Sequence, residues 1–263
     1  MNKILLLILI ALLAAGCAAA PAGTPPRLET GVNPEAWVQV PAGDFLQGQF
    51  DHQAAIAYNY EIMVTPVTNA QYARYLNEAL AKGKIKITNN QVVGFYAGDK
   101  FTGRRHEKQI EAGDWLHLSL VDKDIRLTWD GKTAGVKPGY ENHPMTMVSW
   151  FGAKAYCEYY GWRLPTEAEW EKAARGVDGR PFPWGQEIAR NNANHYASQD
   201  PFEKGVGAQG DTTPVGFYNG KTYEGYQTAN SASPYWVYDM AGNVWQWTAD
   251  VHPGTHYRYL RGG

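Results

Sequence analysis

The sequence predicts an irregular α+β fold with short twisted strands, two or three helices and long loops. Three observations carry this prediction. The run from His143 to Gly176 reads as helix, tight reversal, helix. Several stretches upstream of it alternate apolar and polar residues with the period of a strand. The 28 Gly, 17 Tyr and 10 Trp among 263 residues describe a loop-rich chain with an aromatic core rather than a helical bundle. That length suffices for one sizeable domain or two small ones, and the aromatic content excludes disorder for most of it. A net charge of −2 leaves no basic footprint, so nucleic acid is not an expected partner.

The N-terminus reads as an address. Lys3 supplies a positive charge, Ile4 to Ala15 an apolar stretch, and Ala14-Ala15-Gly16 the small residues before Cys17. The apolar run is too short to serve comfortably as a permanent membrane span. Cys17 after that triplet resembles the lipobox of bacterial lipoproteins, in which the cysteine becomes the lipidated first residue; the alternative is an ordinary cleaved signal. Residues 1–17 are then a signal peptide, 18–35 a tether rich in Ala, Pro and Thr, and 36–263 the folded domain. The expected location is the bacterial cell envelope, lipid-anchored and facing the periplasm or the exterior.

Within the domain, Val38 to Gln47 alternates around Pro41-Ala42-Gly43 as a hairpin edge would, and Tyr58 to Val64 is a second strand. Thr68 with Gln71 forms a capping box opening a helix whose Tyr72, Tyr75, Leu76 and Leu80 share a face; Gly83 ends it. Residues 84–139 are rich in strands and turns. Ile85/Ile87 and Leu116/Leu118/Leu120 alternate, and Ile125, Leu127 and Trp129 lead into Asp130-Gly131, a two-residue hairpin signal. The stretch reads as an inserted antiparallel ribbon on the domain surface, which narrows a groove, contacts a partner or is passive. Its cluster Arg104-Arg105-His106 with Lys108 reads as a solvated turn.

In the helical pair, Ser149 caps a first helix with Ala153, Tyr156, Cys157 and Tyr160 on one face, and Gly161 stops it. Pro165 cannot continue a helix, and a second capping box, Thr166 with Glu169, starts the next. Ala168, Trp170, Ala173 and Ala174 mix large and small residues there, and Gly176 closes it. Glu167, Glu169 and Glu171 are assigned to capping and to solvated helix surface. From Arg190 to Tyr235 hardly any periodicity survives, and so long an irregular stretch asks to be held by something other than backbone ladders, bound ions being the natural candidate.

Oxygen donors of the kind calcium prefers occur twice. Asn191, Asn192 and Asn194 precede Asp200-Pro201-Phe202, and Asp239 precedes Gly242-Asn243 and Gln246. Such clusters also simply make turns. Trp245 and Trp247 read as core. The seven histidines form no zinc pattern: His252 and His256 straddle Pro253-Gly254, which no helix can bridge. There is no Gly-rich phosphate loop and no Gly-x-Ser-x-Gly elbow. Cys157, the second of two cysteines, has no His or Asp at helical spacing to activate it and reads as a small buried residue.

Four motifs in order carry a resemblance: Arg163-Leu164-Pro165-Thr166-Glu167-Ala168-Glu169-Trp170, Pro183-Trp184-Gly185, Asp239-Met240-Ala241-Gly242-Asn243-Val244-Trp245-Gln246-Trp247, and Leu260-Arg261-Gly262-Gly263. Val40 to Phe45 and Val64 to Asn69 add weaker matches. Together they resemble the formylglycine-generating enzyme, or sulfatase-modifying factor, family from about Ala36 onward. The resemblance implies a C-type-lectin-like core and two structural calcium ions. Carried over, one ion falls on Asn194, the carbonyl of His195, Asp200 and the carbonyl of Phe202, with Asp211 a competing ligand. The other falls on the Asp239 and Gln246 side chains and the carbonyls of Gly242 and Val244; the family commonly has Glu at the position of Gln246. The helix position of Cys157 often pairs in the family with a cysteine nearer the C-terminus. Members that oxidise a substrate cysteine to formylglycine use a pair of copper(I)-binding cysteines after the Arg-Gly-Gly motif. This chain ends on that motif, which reads as a C-terminally truncated member. Two functions follow: a formylglycine-generating oxidase acting on an exported sulfatase-like protein, if such cysteines lie downstream, or a non-catalytic lipid-anchored binding or scaffold protein with a protein or peptide partner. An iron-dependent sulfoxide synthase is weaker, since no iron-binding helical domain precedes the core.

Overall fold

Alternating stretches of the sequence become short strands that pair two or three at a time, and the described residues contain no closed barrel. The computed structural model describes residues 24–99, 109–205, 210–252 and 255–263. The signal segment with Cys17, the first part of the tether, the Arg104-Arg105-His106-Lys108 cluster and Pro253-Gly254 lie outside the described residues. The elements run β1 (Trp37–Val40), β2 (Gly43–Gln47), β3 (His52–Ile56), β4 (Tyr60–Met63), α1 (Asn69–Ala81), β5 (Ile85–Thr88), β6 (Gln91–Tyr96), β7 (Gly113–Ser119), β8 (Leu127–Trp129) and β9 (Ala134–Val136). They continue with α2 (Trp150–Tyr159), α3 (Glu167–Arg175), the single-turn α4 (Pro201–Gly205), β10 (Thr222–Tyr223), β11 (Tyr226–Gln227), β12 (Gln246–Val251) and β13 (Arg258–Arg261).

The helices start where their caps predict. Thr68 Oγ1 accepts the Gln71 N–H while Gln71 Oε1 accepts the Thr68 N–H, and Thr166 and Glu169 repeat the exchange at α3. Ser149 accepts the Gly152 N–H at the head of α2. Gly176 closes α3 at φ 70°, a conformation that favours a residue without Cβ.

Three expectations are corrected. First, the strands flanking Pro41-Ala42-Gly43 do not pair with each other: β1 pairs with β4 and β2 with β3. Lys172, fully buried on α3, donates to the carbonyls of Pro41 (2.7 Å) and Gly43 (2.9 Å) at the junction between β1 and β2. Second, the 84–139 stretch is not surface ribbon. Ile85, Val92, Leu118, Ile125 and Leu127 are buried in one cluster with Tyr72, Tyr75, Leu76 and Ala79 of α1 and Tyr156 of α2. The apolar face of α1 needs a cover, and the β5-β6-β7 sheet supplies it; each such side chain contributes about 1.5–3 kcal/mol. A register shift between Val92 and Val93 breaks the alternation, so His117 and Leu118 are both buried and Leu116 is exposed. The Asp130-Gly131 hairpin forms, but as a four-residue loop in which the Asp130 carboxylate accepts the N–H groups of Lys132 and Thr133. Third, Glu169 and Glu171 are buried rather than solvated. Glu171 pairs with Arg175 at 2.6 Å and Arg261 at 3.1 Å, tying β13 to α3.

A second core, with Val40, Phe45, Ile56 and Trp170, lies between the N-terminal strands and α3. A third, with Phe202, Phe217, Tyr218 and Tyr223, anchors the irregular C-terminal half.

Candidate functional site

The loops carrying the proposed calcium ligands are ordered by polar side chains. Asp200 is fully buried at the head of α4, and its two oxygens accept four hydrogen bonds: Phe202 N–H (2.8 Å) and Glu203 N–H (2.9 Å) on one, Ser198 Oγ (2.8 Å) and Tyr218 Oη (2.7 Å) on the other. Phe202 is fully buried behind it, and the His195 carbonyl accepts the Ser198 N–H at 2.9 Å. Asp200 thus works as a helix cap with its lone pairs engaged.

Asn194 keeps different company. Its Nδ2 donates to the Asp211 carbonyl (2.7 Å), and its own carbonyl accepts the Asn243 N–H (2.9 Å). Gly242 sits so close that an added Cβ would lie 2.5 Å from the Asn194 carbonyl oxygen, and its φ of 80° independently demands glycine. The geometry therefore brings Asn194 to the Asp239–Gln246 loop, while Asp200 groups with Ser198 and Tyr218.

In that loop Asp239 is buried at φ 57°. It accepts the Gly216 N–H at 2.7 Å, and no arginine or lysine pairs with it among the described residues. Burial pushes its carboxyl up to about 6, against the opposing hydrogen bonds from Gly216 and Asn243. A buried carboxylate without a cationic partner is the situation a bound cation relieves, so Asp239 fits a metal ligand. Gln246 fits less directly: its Nε2 donates to the Asp239 carbonyl (2.6 Å) and its Oε1 accepts the Trp170 indole N–H (3.0 Å). The Gly242 carbonyl accepts the Val244 N–H at 2.8 Å.

Between these loops and the helices lie two depressions that share Val244 and Trp245. The smaller, about 390 Å³, is bounded by 193–196, 241–245 and Gly263. Contrary to expectation Trp245 is not core: it is 66% exposed, and Tyr196 beside the same depression is 95% exposed. Trp245 precedes β12, so strand periodicity gives no guide to its direction, and Tyr196 leaves no signal in the sequence. Trp247 is partly buried, its indole N–H donating to the Val148 carbonyl at 3.0 Å.

The larger depression is an apolar groove of about 490 Å³ reaching from Trp245 and Gln246 past Leu164 to Tyr156 and Cys157. Glu169 lies along it, held by Arg163 through two 2.6 Å contacts and by Tyr58 at 2.9 Å. Burial alone would raise that carboxyl, but the Arg163 guanidinium, the Thr166 N–H and the Tyr58 hydroxyl outweigh it and leave it below its usual value. Cys157 packs against the tyrosine cluster, and burial pushes its thiol up to about 12. Copper(I) is held by thiolates. Cys157, the one cysteine among the described residues, is protonated at neutral pH and does not fit that metal.

Comparisons with known proteins bear on this arrangement. Residues 22–263 match the family model described as sulfatase-modifying factor enzyme 1-like domain. The inactive C-alpha-formylglycine-generating enzyme 2 of Mus musculus is 31% identical over 254 residues, covering 90% of this chain and 77% of that protein. The formylglycine-generating enzyme of Mus musculus is 29% identical over 248 residues, and this chain spans 86% of its own length but 61% of the enzyme's. Among solved structures, CarF aligns with a TM-score of 0.49 at 21% identity, covering 86% of each chain.

Proposed function

This chain belongs to the sulfatase-modifying factor enzyme 1-like family, and from that membership we propose that it is a lipid-anchored, non-catalytic binding protein of the bacterial cell envelope. The observation that supports this reading is the exposed pair Trp245 and Tyr196 over the smaller depression. Large rigid rings beside amide and imidazole groups make an anchor for a segment of a protein partner. Cys157 is partly buried and its thiol is pushed up to about 12, so it is not an activated nucleophile. A photo-crosslinking amino acid at Trp245 tests the reading in cells against the same probe at Phe50, which is also exposed. Discrete adducts from 245 alone are expected; identical patterns from both positions would sink it.

The anchor is the acylated Cys17, checked by fatty-acid labelling that Cys17→Ser abolishes. A calcium ion is held at the Asp239 carboxylate with the Gly242 and Val244 carbonyls and the Gln246 amide, where it supplies charge compensation and hence stability. Asn194 and the His195 carbonyl stand next to this loop; Asp200 and the Phe202 carbonyl would hold an ion only if Asp200 gave up its capping bonds. With calcium at about a hundredfold excess over Kd, stability rises by about 2.7 kcal/mol. A melting temperature that calcium and chelator leave unchanged removes the ion from the proposal.

A second reading, oxidation of a substrate cysteine to formylglycine, is favoured by the match to the mouse enzyme of that name. Its mark is an aldehyde, trapped by a hydrazide probe, in a co-expressed sulfatase only when this protein is present.

A further inference from the structure

We propose that the surface around Pro25, Lys137 and Gly139 is the membrane-facing side of the molecule, its partner being the phospholipid bilayer that takes the acyl chains of Cys17. This rests on the lipid anchor assigned above and adds an orientation to it.

From Thr24 onward the segment that precedes β1 lies against the domain. Burial alternates along it: Pro25 and Thr30 are buried, Leu28 and Val32 partly so, while Arg27, Glu29, Gly31 and Asn33 are exposed. Each inward residue has its own partner. Pro25 packs on Gly139, where an added Cβ would lie 3.0 Å from the proline ring and a φ of 90° favours glycine. Leu28 packs against the third core. The Thr30 carbonyl accepts Lys221 Nζ (2.7 Å) and Asn219 Nδ2 (3.1 Å). Val32 lies against Gly216, and the Pro34 carbonyl accepts Gln71 Nε2 at 3.0 Å. So many separate attachments make the run a part of the fold rather than a spacer.

Chain length then limits how the domain can sit. Eight residues lead from Cys17 to Pro25. Fully extended they span about 28 Å; as a flexible chain their ends stand about 16 Å apart. A domain of about 240 residues has a radius of gyration of about 18 Å, equivalent to a sphere of radius about 23 Å. With Pro25 at the equator of such a body, the connection would have to reach about 23 Å, well beyond its relaxed length. With Pro25 at the far pole it would have to reach about 46 Å, which the chain cannot do. Pro25 therefore belongs underneath. Had the docked part begun only at Trp37, twenty residues would intervene, about 25 Å when flexible, and the domain could roll freely. The side chains presented there suit headgroups. Arg27 is exposed and only loosely paired with Glu141, at 3.6 Å, and Lys137 lies two residues from Gly139, so two cations stand where lipid phosphate would be.

The test uses the full-length mature protein in phospholipid nanodiscs, with acylation of Cys17 read by mass. A photo-crosslinking amino acid is placed at Lys137 or, for comparison, at Phe50 in the turn between β2 and β3. Lipid adducts from position 137 should exceed those from position 50 by roughly threefold or more. Inserting about twelve Gly/Ser residues between Ala22 and Gly23, upstream of the docked run, should bring the two yields together. Equal yields at native spacing, or a ratio that the insertion leaves unmoved, would overturn the orientation while the acyl mass upholds the anchor. A mature protein with no acyl mass on Cys17 would overturn the anchor, and the orientation with it.

Discussion

Two regions of this molecule are held together by different means. From β1 to the end of α3, order comes from ladders, capped helices and a tyrosine-rich core: Tyr72 stacks on Tyr156 at 5.6 Å and Tyr75 meets Tyr156 edge-on at 5.4 Å. From Arg190 to Trp245 regular pairing nearly vanishes, and buried polar side chains take its place: Ser198, Asp200, Thr213, Thr228, Ser231, Ser233 and Asp239. In the first region a lost contact is shared among many neighbours. In the second, with few ladders to share the load, one carboxylate such as Asp200 serves four donors, so its removal is felt by all of them.

The contrast can be broken by single substitutions. The largest effect is expected for Asp200→Ala, which takes the acceptor from the buried Phe202 N–H, the part-buried Glu203 N–H and the Tyr218 hydroxyl and leaves Ser198 only Glu203; denaturant unfolding should show a loss of about 4 kcal/mol. Leu118→Ala should cost about 3 kcal/mol because it opens a cavity under α1. A change within about 0.5 kcal/mol would return residues 84–139 to the role of surface decoration.

Acid and base titration separates the regions further. In the calcium-free protein Asp239 has a folded value of about 6 against an ordinary 3.8, so between those values the native state holds the extra proton and stability falls as pH rises, by about 3 kcal/mol. Asp239→Asn should remove that loss. Burial holds His117 and His143 down at about 4, against an ordinary 6.5. There the unfolded chain takes the proton, so both imidazoles lower stability as pH falls from 6.5 toward 4, the opposite slope. Unfolding measured across that range, with His143→Gln beside Asp239→Asn, checks both signs. The smallest effect is expected for Thr68→Ala, where one cap of α1 is lost: about 1 kcal/mol.

Much of the first region was legible because its signals are local. Thr68 with Gln71 and Thr166 with Glu169 named their helix starts within four residues, and Tyr72, Tyr75 and Leu76 named a buried face. What escaped was partnership at a distance. Nothing near Pro41 announces that Lys172 will hold its carbonyl, and alternation in β1 cannot say that β4 rather than β2 lies beside it. The family resemblance located the Asp239 loop, yet Asn and Asp clusters look alike whether they cap, turn or bind, so the sequence could not separate Asp200, with four donors, from Asp239, with its uncompensated charge. Trp245 was misplaced because indole-rich motifs usually mean core, and only the bend at Gly242-Asn243 turns it outward.

The contact of Gly242 with the Asn194 carbonyl has a consequence for inheritance and engineering. Two loops nearly fifty positions apart in the chain fit as a matched set, because a side chain at position 242 strikes the main chain at Asn194. Transplanting either one alone into a relative should fail where exchanging both together succeeds. Diversification of this surface is therefore expected to proceed by cassette rather than by single residues.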